Sequence, residues 1–127
     1  MKEKDLYTPF SHYIANNYRG PTAVFELKLI RGEKLREYDF KPHQLRALRM
    51  AKHKAIYFKP PDTSLTPSPC DAFYIKGSRA YGVIFFTSNP KQGYFIDIDI
   101  LLQAFKDNKK GIDEGTCNAL SEFICSL

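Results

Sequence analysis

The sequence has no long apolar run, no apolar N-terminal segment and few cysteines. No stretch approaches the roughly 18–20 consecutive apolar residues that a membrane-spanning helix needs. The N-terminus, Met1-Lys2-Glu3-Lys4-Asp5, lacks the apolar core of a secretory signal peptide. The 3 cysteines, Cys70, Cys117 and Cys125, have neither metal-ligand spacing nor the even number of a disulfide framework. These absences predict a soluble, cytoplasmic protein with reduced thiols.

Internal repeats and low-complexity tracts are also missing. The chain has 127 residues, of which 43% are hydrophobic, and this length and composition are ordinary for one globular domain. We therefore expect a single folded domain over residues 1–127.

The basic residues are concentrated in one part of the chain. The net charge is +5, with 19 lysines and arginines against 14 acidic residues. Residues 28–59 contain ten basic and three acidic residues, whereas acidic residues exceed basic ones in the rest of the chain. A concentrated basic segment predicts a polyanionic partner, with nucleic acid the first candidate. The alternative is a solvated basic surface without a partner.

Hydrophobic periodicity and turn residues predict a mixed α/β fold, in which helices flank a mixed sheet. Helices are expected over residues 4–18, 42–52, 100–108 and 116–126. Strands are expected over residues 22–30, 55–58, 71–76, 79–87 and 93–100, with 71–76 and 79–87 forming a hairpin around Gly77. The proline-rich residues 60–69 are expected to form a surface loop.

The strongest chemical signal lies on the first predicted strand, in the tripeptide Glu26-Leu27-Lys28. Side chains alternate along a strand, so Glu26 and Lys28 share one face, while Phe25, Leu27 and Leu29 share the other. The Glu26 carboxylate and the Leu27 carbonyl are oxygen ligands of the kind that Mg²⁺ prefers, and Lys28 could act on water or phosphate. The alternative is a simple ion pair on the strand face.

Further segments that carry recognisable motifs follow this strand along the chain. In this order they resemble the PD-(D/E)XK nucleases, and within them the RecU-type and phage Holliday junction resolvases (RecU-type proteins are also called penicillin-binding protein-related factor A). The resembling segments are residues 25–29, 38–48, 57–62, 69–73, 80–86 and 93–99. The resemblance implies a restriction-endonuclease-like core with a central mixed sheet.

The resemblance also implies the roles of individual residues. Asp71 matches the motif aspartate and Glu26 the motif acid, both as ligands of Mg²⁺, for which Mn²⁺ can substitute. Lys28 matches the catalytic lysine, and Gln44 matches the helix glutamine that contacts the water or the phosphate. Glu3 corresponds in position to an acid that some relatives carry on the first helix.

The motif aspartate departs from the usual order of the family. It normally precedes the Glu-x-Lys strand, but Asp71 follows Glu26 by 45 positions. The chain would therefore have to return and bring Asp71 beside Glu26. Asp62 is the competing candidate for the second carboxylate.

The function that the resemblance implies is a metal-dependent, structure-selective DNA endonuclease, specifically a Holliday junction resolvase that hydrolyses phosphodiesters in recombination or replication. Two symmetric nicks at a four-way junction imply a homodimer on branched double-stranded DNA. The expected phosphate contacts are Arg31, Lys34, Lys41, His43, Arg46, Arg49, Lys52 and Lys59. The alternatives are a nuclease of the same fold that acts on other branched or damaged nucleic acid, and a non-catalytic DNA-binding module.

Three other groups of residues have two readings each. Asp97 and Asp99 share a strand face and could bind metal, but a helix cap or a solvent-facing role is favoured. Tyr13, Tyr57 and Tyr74 could stack on bases, but core packing is favoured. Cys117 and Cys125 are expected to be buried on one C-terminal helix.

Overall fold

The computed structural model describes residues 1–61 and 67–127. Its helices are α1 (Tyr7–Asn17), α2 (Pro42–His53), α3 (Ile98–Asp107) and α4 (Glu114–Leu120), with short 3₁₀ helices at Glu3–Leu6 and Glu37–Asp39. Its strands are β1 (Ala23–Ile30), β2 (Lys34–Leu35), β3 (Ala55–Phe58), β4 (Phe73–Lys76), β5 (Arg79–Phe86), β6 (Asn89–Asp97), β7 (Ile112–Asp113) and β8 (Phe123–Ser126). Within these ranges, no helix has the length and apolar character that a membrane crossing requires.

The main sheet has four strands in the order β1-β5-β6-β8. Strand β1 pairs with β5 in parallel, while β6 is antiparallel to both β5 and β8. Parallel neighbours need a crossover connection, and helix α2 lies within the segment that joins β1 to β5. The predicted class, a mixed sheet flanked by helices, is confirmed.

The alternation along β1 separates two hydrophobic clusters. Phe25, Leu27 and Leu29 pack with Leu6 and with Phe10 of α1. The other face of the sheet packs against α2 and α3, whose buried residues Leu45, Leu48, Leu101 and Phe105 belong to the second cluster. Glu26 and Lys28 therefore lie on the α2 side of the sheet, as their spacing from Phe25 and Leu27 predicts.

Helices α1 and α2 agree closely with the sequence. The predicted helix over 4–18 begins as a 3₁₀ turn and continues as α1. Helix α2 starts at Pro42, because proline fits the first helical position, where no backbone donor is needed. Its apolar stripe, Leu45, Leu48 and Ala51, is buried as expected.

The predicted hairpin of residues 71–76 with 79–87 is wrong, although both strands exist. Strand β4 pairs with β3, whereas β5 lies between β1 and β6. Residues Ala80–Phe86 are all buried, and such a continuous apolar run suits the centre of a sheet rather than a hairpin arm. Gly77, at φ +62°, turns the chain from one sheet to the other.

The C-terminal third differs from its prediction at two boundaries. Strand β6 ends at Asp97, because the Asp97 side chain accepts hydrogen bonds from Asp99 N and Ile100 N and so caps α3. The helix expected over 116–126 is α4 followed by strand β8, which pairs with β6. Cys117 and Cys125 are buried as predicted, but on a helix and a strand, and all three cysteines are free thiols.

Candidate functional site

The candidate site begins with a charged pair on β1, which is an edge strand of the main sheet. The Lys28 side chain is buried, at 8% exposure, and its Nζ lies 3.6 Å from Glu26 Oε1. The same Nζ lies 5.4 Å from the centroid of the buried Phe40 ring, a favourable distance for a cation–π contact. The ammonium group of Lys28 is therefore held between a carboxylate and an aromatic face.

Glu26 is half-buried, and this burial raises the pKa of its carboxyl group above the ordinary value. The positive charge of Lys28 opposes the rise, and the nearby charge of Glu3 adds to it. His43 acts in the same direction as Lys28. The protein thus leaves the charged form of Glu26 under-compensated, and a bound cation would relieve this cost.

Glu3 brings a second carboxylate to the free edge of β1. Its Oε1 accepts a hydrogen bond from Leu29 N at 3.0 Å, so the Leu29 backbone faces this edge. Groups two residues apart on a strand point the same way, so the Leu27 carbonyl faces the same edge. Glu3, Glu26 and the Leu27 carbonyl are thus oxygen-bearing groups near this edge.

Tyr7 is a neighbour of this site that the sequence reasoning did not single out. Its pKa is raised first by burial and then by the charges of Glu3 and Glu26, which places its phenol near both carboxylates. The signal that could have found it is its spacing of four from Glu3 at the start of the first helix, since such residues share a helix face.

The sequence predicts two site residues at the start of α2, His43 and Gln44. His43 is exposed, and its charge acts on Glu26. Gln44 has a structural role, because its Oε1 accepts a hydrogen bond from Lys41 N at 2.9 Å and caps the helix. The contact of Gln44 with the water or the phosphate stays a prediction.

Asp71 precedes β4, which belongs to a different sheet from the β1 strand that contains Glu26. It is exposed, in the segment that leads into β4, and the charged groups that shift the Glu26 pKa are Lys28, Glu3 and His43. Among residues 1–61 and 67–127, no three or more His, Cys, Asp or Glu side chains form a group that could hold a metal ion. The role of Asp71 as a metal ligand stays a prediction, and Asp62 falls outside the described residues.

Lys52, one of the expected phosphate contacts, is occupied by two carboxylates instead. Its Nζ lies 2.8 Å from Asp97 Oδ1 and 2.7 Å from Asp99 Oδ2, while His53 Nε2 lies 2.9 Å from Asp99 Oδ1. These contacts lower the pKa of Asp99, with the Lys52 hydrogen bond as the largest cause. The favoured structural reading of Asp97 is confirmed by its capping of α3.

The other expected phosphate contacts lie at the surface. Arg31 donates a hydrogen bond to Met1 O at 2.8 Å and so ties down the N-terminus. The remaining positions are exposed: Lys34, Lys41, His43, Arg46, Arg49 and Lys59. Arg46 and Arg49 line a groove together with Lys109, which the sequence reasoning missed because it lies 60 residues from Arg49.

Tyr57 and Tyr74 contradict the favoured core-packing reading. They are opposite each other in the β3–β4 ladder, and their exposures are 74% and 67%. The β3–β4 ribbon therefore presents a pair of tyrosines to solvent.

Comparison with family models, with curated proteins and with solved structures found no match to this chain. The family resemblance and the function that it implies therefore stay predictions.

Proposed function

We propose that the protein is a metal-dependent nuclease that acts on branched DNA, with the four-way junction as its first candidate substrate. The observation that carries the proposal is Glu26, a half-buried carboxylate with a raised pKa next to the buried Lys28. Shifted pKa values of this kind concentrate at functional sites.

The oxygen ligands at the edge of β1 suit a hard divalent cation. Mg²⁺ is commonly held by one or two carboxylates and keeps several waters, so Glu26, Glu3 and the Leu27 carbonyl would form an adequate set. Asp71 remains the second carboxylate that the resemblance implies. Substitution of Glu3 and substitution of Asp71 have different expected effects under the two assignments. When bound, the metal would polarise a phosphoryl oxygen and stabilise the departing one.

The side chains of the chain itself would position the substrate and stabilise developing charge. Lys28 offers a buried ammonium group, whose interaction with a phosphate is strong because water is excluded around it. His43 and the Gln44 amide lie at the N-terminus of α2, where backbone N–H groups favour anions. Water attacks phosphorus, the bond from phosphorus to O3′ breaks, and O3′ takes a proton, which leaves a 5′-phosphate.

DNA binding is supported by the exposed cations of α2. Arg46 and Arg49 are exposed and lie on one helix face at a spacing of three. Such residues contact phosphates without reading bases, so branch shape rather than sequence would direct binding. Symmetric cleavage of a four-way junction would require a two-fold homodimer.

A second candidate function is a non-catalytic DNA-binding module. The observation in its favour is that the described part of the chain holds no group of three or more metal-ligating side chains. This module would keep the exposed arginines of α2 and would use Glu26 and Lys28 as a simple ion pair.

A cleavage assay separates the two functions. Four-way, flap and linear DNA of matched sequence are incubated with the protein over a titration of Mg²⁺ or Mn²⁺. We expect metal-dependent cleavage of a branched substrate and a loss of at least 10²- to 10³-fold in Glu26→Gln, the scale seen for removal of one transition-state contact. The control is Glu33→Gln, which removes an exposed carboxylate outside the site.

The second carboxylate is identified in the same assay. Loss of cleavage in Glu3→Gln with activity kept in Asp71→Asn supports the ligand set at the β1 edge, and the reverse result supports the ligand that the resemblance implies. Cleavage that is unchanged in Glu26→Gln, or DNA binding without cleavage in either metal, contradicts the nuclease proposal.

A further inference from the structure

A groove runs between α2 and the C-terminal end of α3. It consists of two adjoining open cavities of about 680 and 760 Å³, which share the lining residues Arg36, Glu37, Arg49, Leu102 and Lys109. The 3₁₀ turn Glu37–Asp39 and the residues that follow it form one wall. We call this feature the α2–α3 groove.

Cations from three parts of the chain line the α2–α3 groove. They are Arg36, Lys41, Arg46, Arg49, Lys106 and Lys109. The acidic residues that line it are Glu37 and Asp99, and Asp99 is already paired with Lys52 and His53. The uncompensated charge of the groove is therefore strongly positive, which is complementary to a chain of phosphates.

The groove also contains an exposed aromatic ring. Tyr38 lines the larger cavity and is 76% exposed, beside an apolar floor of Phe40, Leu45 and Leu102. A positive groove with an exposed aromatic side chain is the combination that holds single-stranded nucleic acid, because the cations follow the backbone and the ring stacks on a base. A duplex keeps its bases stacked on each other and offers no base face to Tyr38.

The groove adjoins the candidate site through one residue. The buried Phe40 lines the groove, and Lys28 Nζ lies 5.4 Å from its ring centroid. The groove and the candidate site therefore have the Phe40 ring as a common neighbour.

We propose that the α2–α3 groove binds an unpaired nucleic acid strand, with its phosphates on Arg49 and Lys109 and one base stacked on Tyr38. The inference rests on the proposed function in that the protein acts on nucleic acid. It narrows the substrate class, because the favoured branched substrates then carry an unpaired strand beside the scissile position.

The test measures binding without cleavage. Fluorescence anisotropy in EDTA compares a labelled 20-nucleotide single strand with the duplex of the same sequence, over a range of KCl concentrations. We expect the single strand to bind more tightly, and Tyr38→Ala to weaken its binding roughly 5- to 100-fold, the scale of one base stack. Tyr38→Phe, which keeps the aromatic ring and removes only the hydroxyl group, should leave this affinity nearly unchanged.

The lysine variants test the electrostatic part. Lys109→Ala should reduce the slope of log affinity against log salt by about 0.7, the value for one phosphate contact on a single strand. The control Lys91→Ala removes an exposed lysine at the start of β6, away from the groove, and should keep the slope of the parent protein.

Three results overturn the inference: tighter binding of the duplex, equal losses in Tyr38→Ala and Tyr38→Phe, or equal slopes in Lys109→Ala and Lys91→Ala. Thermal unfolding of each variant verifies that the fold is retained. The binding assay contains EDTA, so its result does not depend on cleavage. An absence of cleavage in the nuclease assay would refute the proposed function and leave this binding result standing. Conversely, if the protein cleaves branched DNA but the groove variants bind the single strand as the parent protein does, only the proposal for the groove is refuted.

Discussion

Two clusters of carboxylates and cations beside α2 are built differently. We call them the β1 cluster and the α2–α3 cluster. In the β1 cluster the Lys28 to Glu26 contact is 3.6 Å, and burial raises the pKa of Glu26. In the α2–α3 cluster the contacts of Lys52 and His53 with Asp97 and Asp99 are 2.7–2.9 Å, and the pKa of Asp99 is lowered.

The difference separates a structural cluster from a candidate for chemistry. In the α2–α3 cluster each carboxylate has a partner at hydrogen-bond distance, and Asp97 also caps a helix. In the β1 cluster a buried lysine and a half-buried glutamate compensate each other incompletely, and Glu3 adds a like charge. Partly satisfied charges in a poorly hydrated site are costly to keep, so a function that uses them is the simplest reason for their presence.

Removal of Lys28 is expected to have the largest effect. Lys28→Ala takes away the nearest cation of Glu26 and the buried donor that would face a phosphate, so cleavage should fall by at least 10²- to 10³-fold. The measurement is the single-turnover cleavage rate, together with the affinity for the same DNA, which should change little. Lys91→Ala serves as the matched control for loss of one positive charge. A cleavage rate within twofold of that of the parent protein would show that the β1 cluster, like the α2–α3 cluster, has a structural role.

Removal of Lys52 should act on stability and leave the reaction alone. Lys52→Ala leaves Asp97 and Asp99 side by side without their shared cation. We expect the free energy of unfolding to drop by about 1–2 kcal/mol, less than for a fully buried pair because both carboxylates remain partly exposed. Urea unfolding measures the loss, and the exposed Lys54→Ala should stay within about 0.5 kcal/mol of the parent.

If Lys52→Ala instead abolished cleavage while its stability was unchanged, the assignment of the two clusters would be reversed. The cleavage rate and the unfolding curve are therefore needed for the same preparation.

The sequence predicted the β1 cluster better than its surroundings. A spacing of two on a strand was sufficient to place Glu26 and Lys28 on one face, because the side-chain period of a strand is fixed. The apolar stripe of α2 was equally readable, since Leu45, Leu48 and Ala51 repeat at helical spacing. Local periodicity carries this information without any knowledge of the fold.

Features that depend on distant residues were not readable. The α2–α3 groove joins Arg49 to Lys109, and the ion pairs of Lys52 reach residues 45 and 47 positions away. The pairing of β5 with β1 and β6 rather than with β4 is a competition between strands, which no local pattern decides. The helix expected over 116–126 includes strand β8, although Phe123 and Cys125 also fit the period of a strand.

The smallest expected effect is a difference in pH dependence between the clusters. The pKa of Glu26 is raised in the folded protein, so folded Glu26 holds its proton more tightly than unfolded Glu26. Its ionisation therefore costs stability as the pH rises from about 4 through the folded pKa. The pKa of Asp99 is lowered, so its stabilisation is complete above the unfolded pKa and is lost as the pH falls through the folded one.

Two amide variants should consequently move in opposite directions. Relative to the parent protein, Glu26→Gln should gain stability as the pH rises from 4 to 7, whereas Asp99→Asn should gain stability as the pH falls below about 4. Urea unfolding between pH 3 and pH 7 gives both curves, and Glu33→Gln corrects for the loss of one negative charge from the chain. Parallel curves for the two variants would show that burial and pairing do not distinguish the clusters, since the opposite signs follow directly from an under-compensated Glu26 and a fully paired Asp99.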